Sequence, residues 1–208
     1  MPYTQRVTSA WAGAVAGVLI GLSLMGSAWS VLVWPALLLW SGAMLVCRDR
    51  RQEATTIALG LWAWSSVGSV WVAAAVQEAS EARLLWQVLT MLVSVVHHTV
   101  CVMLPWMLVR WSMPRNASSR QRQVAWGVAL TSGEAWRQWG WAGHGYASLA
   151  DPMSAMAGAA LPLSLVGGLG WTAIGCGAIA TAACWLLSPR QNRFHIYRLP
   201  DNNCHVNY

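Results

Sequence analysis

Long apolar segments separated by short polar loops dominate the chain. Leu84–Val109 and Met153–Ser188 contain no Asp, Glu or Arg. An α-helix needs about 20 apolar residues to cross the hydrocarbon core of a bilayer. In lipid, a helix also satisfies its backbone hydrogen bonds internally. The pattern therefore predicts an all-α, polytopic membrane helix bundle.

Six transmembrane helices are predicted from the apolar runs. Gly26–Ser30 is expected to form a tight hairpin at the outer surface, and glycines between Gly158 and Gly177 are expected to allow close helix contacts. The bundle is predicted to occupy residues 1–188, and a polar cytoplasmic tail residues 189–208. The predicted spans are Ala10–Met25, Val31–Cys47, Ile57–Val76, Leu84–Val109, Val124–Trp139 and Gly158–Leu187.

Composition agrees with this class and the positions of the charges orient the bundle. The chain is 56% hydrophobic and 10% charged, whereas soluble domains carry about 25% charged residues. All 13 basic residues are Arg, and they cluster in loops and tails. This argues against nucleic acid as a partner, because a phosphate-binding protein concentrates its positive charge on one face.

An excess of Arg on one side of the membrane predicts which ends are cytoplasmic. With a cytoplasmic N-terminus, only Arg83 and Arg137 fall on the outer side. We therefore predict N-in and C-in topology in a bacterial inner membrane. The arginines then placed inside are Arg6, Arg48, Arg50, Arg51, Arg110, Arg115, Arg120, Arg122, Arg190, Arg193 and Arg198.

Aromatic and cysteine positions add two further expectations. Trp29 and Trp86 are predicted to lie at the outer boundary, and Trp11, Trp40 and Trp111 at the inner one, as an aromatic belt. The five cysteines show no CxxC spacing. No metal site, disulfide framework or cofactor is expected from them.

Four ionisable residues within the predicted spans are candidates for function. Glu134 and Arg137 are three residues apart and share one helix face, so a mutual ion pair facing the bundle interior is expected. The ion pair would either form the polar base of a headgroup-binding site or hold neighbouring helices together. His97 and His98 point about 100° apart on a helix; hydrogen bonding to neighbouring helices is expected, with a proton relay as the alternative.

Several short motifs occur in the order seen in one family. The chain carries Trp34-Pro35, a basic loop Arg48–Arg51, Trp71-Val72, Glu134-Ala135-Trp136-Arg137, Gly145-Tyr146-Ala147-Ser148 and Asp151-Pro152-Met153. Over residues 10–195 this order resembles the N-terminal membrane region of bacterial apolipoprotein N-acyltransferases and of the related TraB-type conjugal-transfer proteins. In that family the membrane helices present diacyl lipid to a nitrilase-like domain with a Glu-Lys-Cys triad.

The resemblance implies lipid binding but not catalysis by this chain alone. The sequence contains no Lys and stops at Tyr208, so we expect no nitrilase-like domain and no Glu-Lys-Cys triad. Phospholipid or lipoprotein acyl chains are the expected ligands. The expected headgroup-binding or structural residues are Glu134, Arg137, Tyr146, Trp71 and Asp151.

Three interpretations of the resemblance remain open. The chain could be the lipid-handling half of a split enzyme with a separately encoded catalytic subunit. It could be a truncated or degenerate homologue. It could also be a repurposed, non-enzymatic subunit of a membrane assembly such as a conjugative-transfer complex.

Overall fold

The structure, a computed structural model, describes residues 3–70, 84–114, 117–139, 149, 152, 172–179 and 182. Within these residues the chain is all-helical and contains no strand. The all-α class expected from the sequence is thereby confirmed. The long helices are α1 (Tyr3–Ser23), α2 (Val33–Val46), α3 (Arg50–Gly68), α4 (Leu84–Ser112) and α5 (Ser119–Trp139).

Among the described residues, two helical segments are long and apolar enough to cross a membrane. They are Ala28–Val46, which joins a 3₁₀ turn over Ser27–Leu32 to α2, and Leu84–Ser112, which is α4. Val7–Ser23 is a shorter apolar helix. The predicted count of six crossings stays a prediction, and most of the sixth span lies outside the described residues.

The starts of α1 and α3 both precede their predicted span boundaries, and the start of α3 shows why. The apolar run led us to expect a span from Ile57, but the helix begins at Arg50. Asp49 is the N-cap residue, and its side chain accepts a hydrogen bond of 2.8 Å from the Gln52 backbone N–H. Because the cap satisfies a donor that the helix itself leaves unpaired, α3 starts within the polar loop.

Glycines bring α1 and α3 into close contact, and this pair is the most extensive helix contact of the bundle. Gly13, Gly17 and Gly21 recur every four residues along α1. A Cβ on Gly17 would lie 2.0 Å from the carbonyl oxygen of Gly60. Only a missing side chain permits this approach, so α1 carries a glycine seam that the sequence reasoning placed only in the sixth span.

The core lies between all five long helices and is built around tryptophans. Trp40, Trp64 and Trp126 are all buried, and the rings of Trp40 and Trp126 are 4.9 Å apart. The prediction that Trp40 belongs to the inner aromatic belt is therefore wrong, because its ring fills the space above Gly60. Trp11, Trp29, Trp86 and Trp111 are exposed.

The helices run alternately up and down, which gives the bundle two distinct ends. At one end, Gln52 of α3 donates a 2.8 Å hydrogen bond to Ser9 of α1. The C-terminal end of α4 and the start of α5 reach the same place, through the contacts of Arg110 and Arg122 with Glu53. The C-terminal ends of α3 and α5 lie at the other end, where Ser65 and Glu134 approach His98.

Candidate functional site

A polar cluster, here called the histidine cluster, consists of Ser65, His98, Glu134 and Arg137. Ser65 lies near the end of α3, His98 at the middle of α4, and Glu134 and Arg137 near the end of α5. All four side chains are buried. Gly133 allows α4 to approach, since a Cβ there would lie 2.6 Å from the Val102 side chain.

Glu134 and Arg137 form an ion pair on one turn of α5. A single guanidinium nitrogen, Nη2, donates to both carboxylate oxygens of Glu134, at 2.9 and 2.8 Å. Glu134 is 0% and Arg137 2% exposed. Burying an isolated charge costs much free energy. The pair of Glu134 and Arg137 carries no net charge, which lowers that cost. The pair is local to α5, so it does not by itself hold two helices together.

His98 connects this ion pair to α3. Its Nδ1 lies 2.6 Å from the Ser65 hydroxyl, and its Nε2 lies 4.0 Å from Oε1 of Glu134. The edge of the Trp64 ring system meets the imidazole with 4.3 Å between centroids. The imidazole therefore lies between the Ser65 hydroxyl and the Glu134 carboxylate. The geometry joins three helices around one imidazole ring.

His97 points away from this cluster, as adjacent helix positions require. It is half-buried, and its Nε2 lies 3.5 Å from the Cys101 thiol one turn further along α4. The two histidines thus have different neighbours. Among the described residues, no group of three His, Cys, Asp or Glu side chains could hold a metal ion.

Three predicted site residues cannot be placed beside the cluster. Tyr146, Trp71 and Asp151 lie outside the described residues. Their proposed part in headgroup binding stays a prediction. Of the residues singled out in the sequence, the structure brings together His98, Glu134 and Arg137 and adds Ser65, which the sequence reasoning had not named.

A second buried cluster, here called the arginine triad, lies at the opposite end and consists of Glu53, Arg110 and Arg122. Arg110 Nε donates to Glu53 Oε2 at 2.8 Å, and Arg122 Nη1 donates to Oε1 at 3.1 Å. Glu53 is 0% exposed. One carboxylate of α3 therefore holds cations from both α4 and α5.

The triad also ties two loops to each other. Arg122 donates to the Cys47 carbonyl, and Arg110 Nη1 to the Pro114 carbonyl at 3.4 Å. Arg50 Nη2 donates to the Met113 carbonyl at 2.8 Å. Cys47 lies just after the candidate span Ala28–Val46, and burial raises the pKa of its thiol. Its Sγ lies 3.2 Å from the Ala43 carbonyl oxygen.

The sequence reasoning missed the arginine triad. Arg110 and Arg122 were interpreted only as loop charges on the cytoplasmic side, and Glu53 was given no role. A signal was present: Glu53 continues the buried stripe formed by Thr56, Ile57, Gly60, Leu61 and Trp64 at helical spacing. An acidic residue on such a stripe needs a cation, but the stripe does not indicate which arginine supplies it.

No protein-family model, curated protein or solved structure matches this chain. The likeness to apolipoprotein N-acyltransferases accordingly rests on the motif residues alone.

Proposed function

We propose that the chain is a multi-pass membrane protein that binds phospholipid or lipoprotein acyl chains between its helices. The observation that carries this proposal is a surface of large apolar side chains around buried ion pairs. Large apolar side chains face outward along the helices, while ionised side chains are paired inside. On α1 the exposed apolar residues follow one face at helical spacing: Val7, Trp11, Val15 and Val18.

The first three turns of α4 support a lipid-binding role more specifically. From Leu84 to Val93 no side chain is buried, and the exposed ones are mostly Leu, Val and Trp. The helix becomes buried only from Ser94, one turn before His98. A lipid bound along this part of α4 would come within reach of the histidine cluster at the point where the helix becomes buried. Such a ligand would cover apolar surface that the described residues leave open.

The resemblance to apolipoprotein N-acyltransferases suggests what the bound lipid is for. On this proposal the bundle presents lipid and a separately encoded subunit supplies the Glu-Lys-Cys chemistry. The absence of Lys from the sequence makes acyl transfer by that triad impossible on this chain alone. The bundle would lie in a bacterial inner membrane with both termini in the cytoplasm, as the Arg distribution predicts.

Lipid co-purification tests the proposal. We would purify the full chain in mild detergent and measure bound lipid by class with mass spectrometry. His98→Ala and Arg137→Ala should lower lipid retention several-fold relative to wild type. His97→Ala is the matched control, because it removes the neighbouring imidazole, which lies outside the histidine cluster. Unchanged lipid retention in Arg137→Ala protein that still elutes as a single species would exclude a headgroup role for the cluster.

A second candidate function is favoured by the tight pairing of Glu134 with Arg137. Because both groups are buried and bonded to each other, and His98 links them to Ser65 of α3, they also suit a structural role in a non-enzymatic assembly subunit. That function predicts stoichiometric co-purification with other membrane proteins after cross-linking, and no lipid-specific effect of His98→Ala. The two measurements together separate the candidates.

A further inference from the structure

The bundle end that carries the arginine triad has an exposed basic surface. Arg48 and Arg51 lie beside the start of α3, and Arg120 lies in the first turn of α5; all three are exposed. They lie at the same end of the bundle, because Arg122 binds the Cys47 carbonyl and Arg50 binds the Met113 carbonyl. Tertiary contacts therefore bring cations that are far apart in sequence to one end of the bundle.

Positive charge is in excess at this end. Six arginines whose side chains the structure describes lie there, against two carboxylates. Glu53 is buried between Arg110 and Arg122, and Asp49 caps α3. Glu134, the remaining described acid, belongs to the histidine cluster at the other end. Arg48, Arg51 and Arg120 are exposed, so an anion outside the bundle can reach them.

Two exposed tryptophans indicate the kind of anion. Trp111 follows Arg110 directly and is 64% exposed, while Trp11 lies half a turn from Ser9 and is 67% exposed. Indole rings prefer the headgroup level of a bilayer. A free anion would contact the arginines but not the indoles. A phospholipid would contact both, because its phosphate would bind the arginines and the indoles would lie at the boundary between its headgroup and its acyl chains.

We propose that Arg48, Arg51 and Arg120, flanked by Trp11 and Trp111, form a binding surface for the phosphate-containing headgroups of acidic phospholipids. This site lies at the opposite end from the histidine cluster, so it faces the other leaflet. It rests on the membrane embedding in the proposed function but not on lipid binding at His98. The arginine triad acts here by holding the loops in place and not by contacting lipid.

Thermal unfolding of the full chain in detergent tests the surface. The probes are phosphatidylglycerol, phosphatidylcholine and inorganic phosphate, added separately. Phosphatidylglycerol should raise the unfolding temperature of wild type, and the other two should raise it much less. The triple variant Arg48→Gln, Arg51→Gln, Arg120→Gln should need about a hundredfold more phosphatidylglycerol for half of the effect. The triple Arg→Lys variant keeps the charge and should behave as wild type.

Several results would overturn the proposal. One is an undiminished phosphatidylglycerol effect in the triple Gln variant, and another is an equal effect of inorganic phosphate, which would mark a site for free anion. If the Gln variant does not fold, the salt dependence of wild type tests the proposal instead. NaCl at about 0.5 M should remove most of the effect of phosphatidylglycerol on the unfolding temperature, because exposed charges are strongly screened at that ionic strength. A salt-independent effect would contradict the proposal.

Failure of the proposed function can be distinguished from failure of the basic surface. Extraction of the chain from cell membranes by alkaline carbonate would overturn the embedding, and with it the proposed function. Retention in the membrane combined with no preference for phosphatidylglycerol would overturn only the basic surface. In that case an acidic protein partner would become the alternative to test.

Discussion

At the residue scale, Glu53 has the greatest influence on how the helices fit together. It contacts arginines that lie 57 and 69 positions away in the sequence. Removing one member of a buried ionic group leaves the others charged and without a counter-charge, which is far more costly than losing an exposed pair. The stability of the bundle should therefore depend strongly on this side chain.

Glu53→Gln should lower the free energy of unfolding by about 3–5 kcal/mol, because Arg110 and Arg122 would then be buried without a carboxylate. Titration with sodium dodecyl sulfate in mixed micelles measures this quantity. Asp49→Asn is the matched control: it removes a carboxylate at the same end, but the amide oxygen still caps α3. An equal loss in both variants would contradict the structural role given to Glu53.

Ser65 offers a second test at this scale, since it was found only in the structure. Ser65→Ala should cost about 1–3 kcal/mol of unfolding free energy, because it removes the 2.6 Å contact with His98 Nδ1 in a buried setting. Ser66→Ala, at the exposed neighbouring position, should change stability by less than about 0.5 kcal/mol. Similar values for the two variants would argue against the Ser65–His98 contact.

At the element scale, local sequence predicted the helices well but their partners poorly. Apolar runs indicate helices because the pattern is local, so α2, α4 and α5 overlap the predicted spans closely. The start of α3 was misplaced because its polar first turn contains residues that are buried by other helices. The glycine spacing on α1 was visible, but its partner, Gly60 of α3, follows only from how the two helices cross.

Gly17→Ala should separate α1 from α3, because the new Cβ would lie 2.0 Å from the Gly60 carbonyl oxygen. We expect a lower unfolding temperature and loss of a disulfide cross-link engineered between the two helices. Gly127→Ala is the control, since nothing lies within 4 Å of a Cβ at that position of α5. Alanine is the better helix former, so this control should be neutral or slightly stabilising.

At the scale of the whole molecule, the up-and-down arrangement restricts the topology. The Cys47–Asp49 loop and the loop after α4 are bonded to the same end of the bundle. They must therefore lie on the same side of any membrane that the bundle crosses. The excess of Arg at that end predicts that this side is the cytoplasm.

Labelling of single cysteines in the full chain, with the native cysteines replaced by Ser, checks the arrangement. Arg48→Cys and Ser118→Cys should react with a membrane-impermeant maleimide only after the inner membrane is opened. Trp29→Cys, at the exposed turn before α2, should react in cells with an intact inner membrane. Reaction of the first two from opposite sides would contradict the structure, whereas reaction of both from outside would contradict only the predicted orientation.

The sequence by itself determined the features that depend on near neighbours. These are the helical class, the extents of most apolar segments, and the closeness of Glu134 to Arg137, which one helical turn brings together. Only the tertiary structure decided which charges are buried and which helices they join. Glu53 finds Arg110 and Arg122, and Ser65 finds His98, because helix packing selects partners that no local spacing relates.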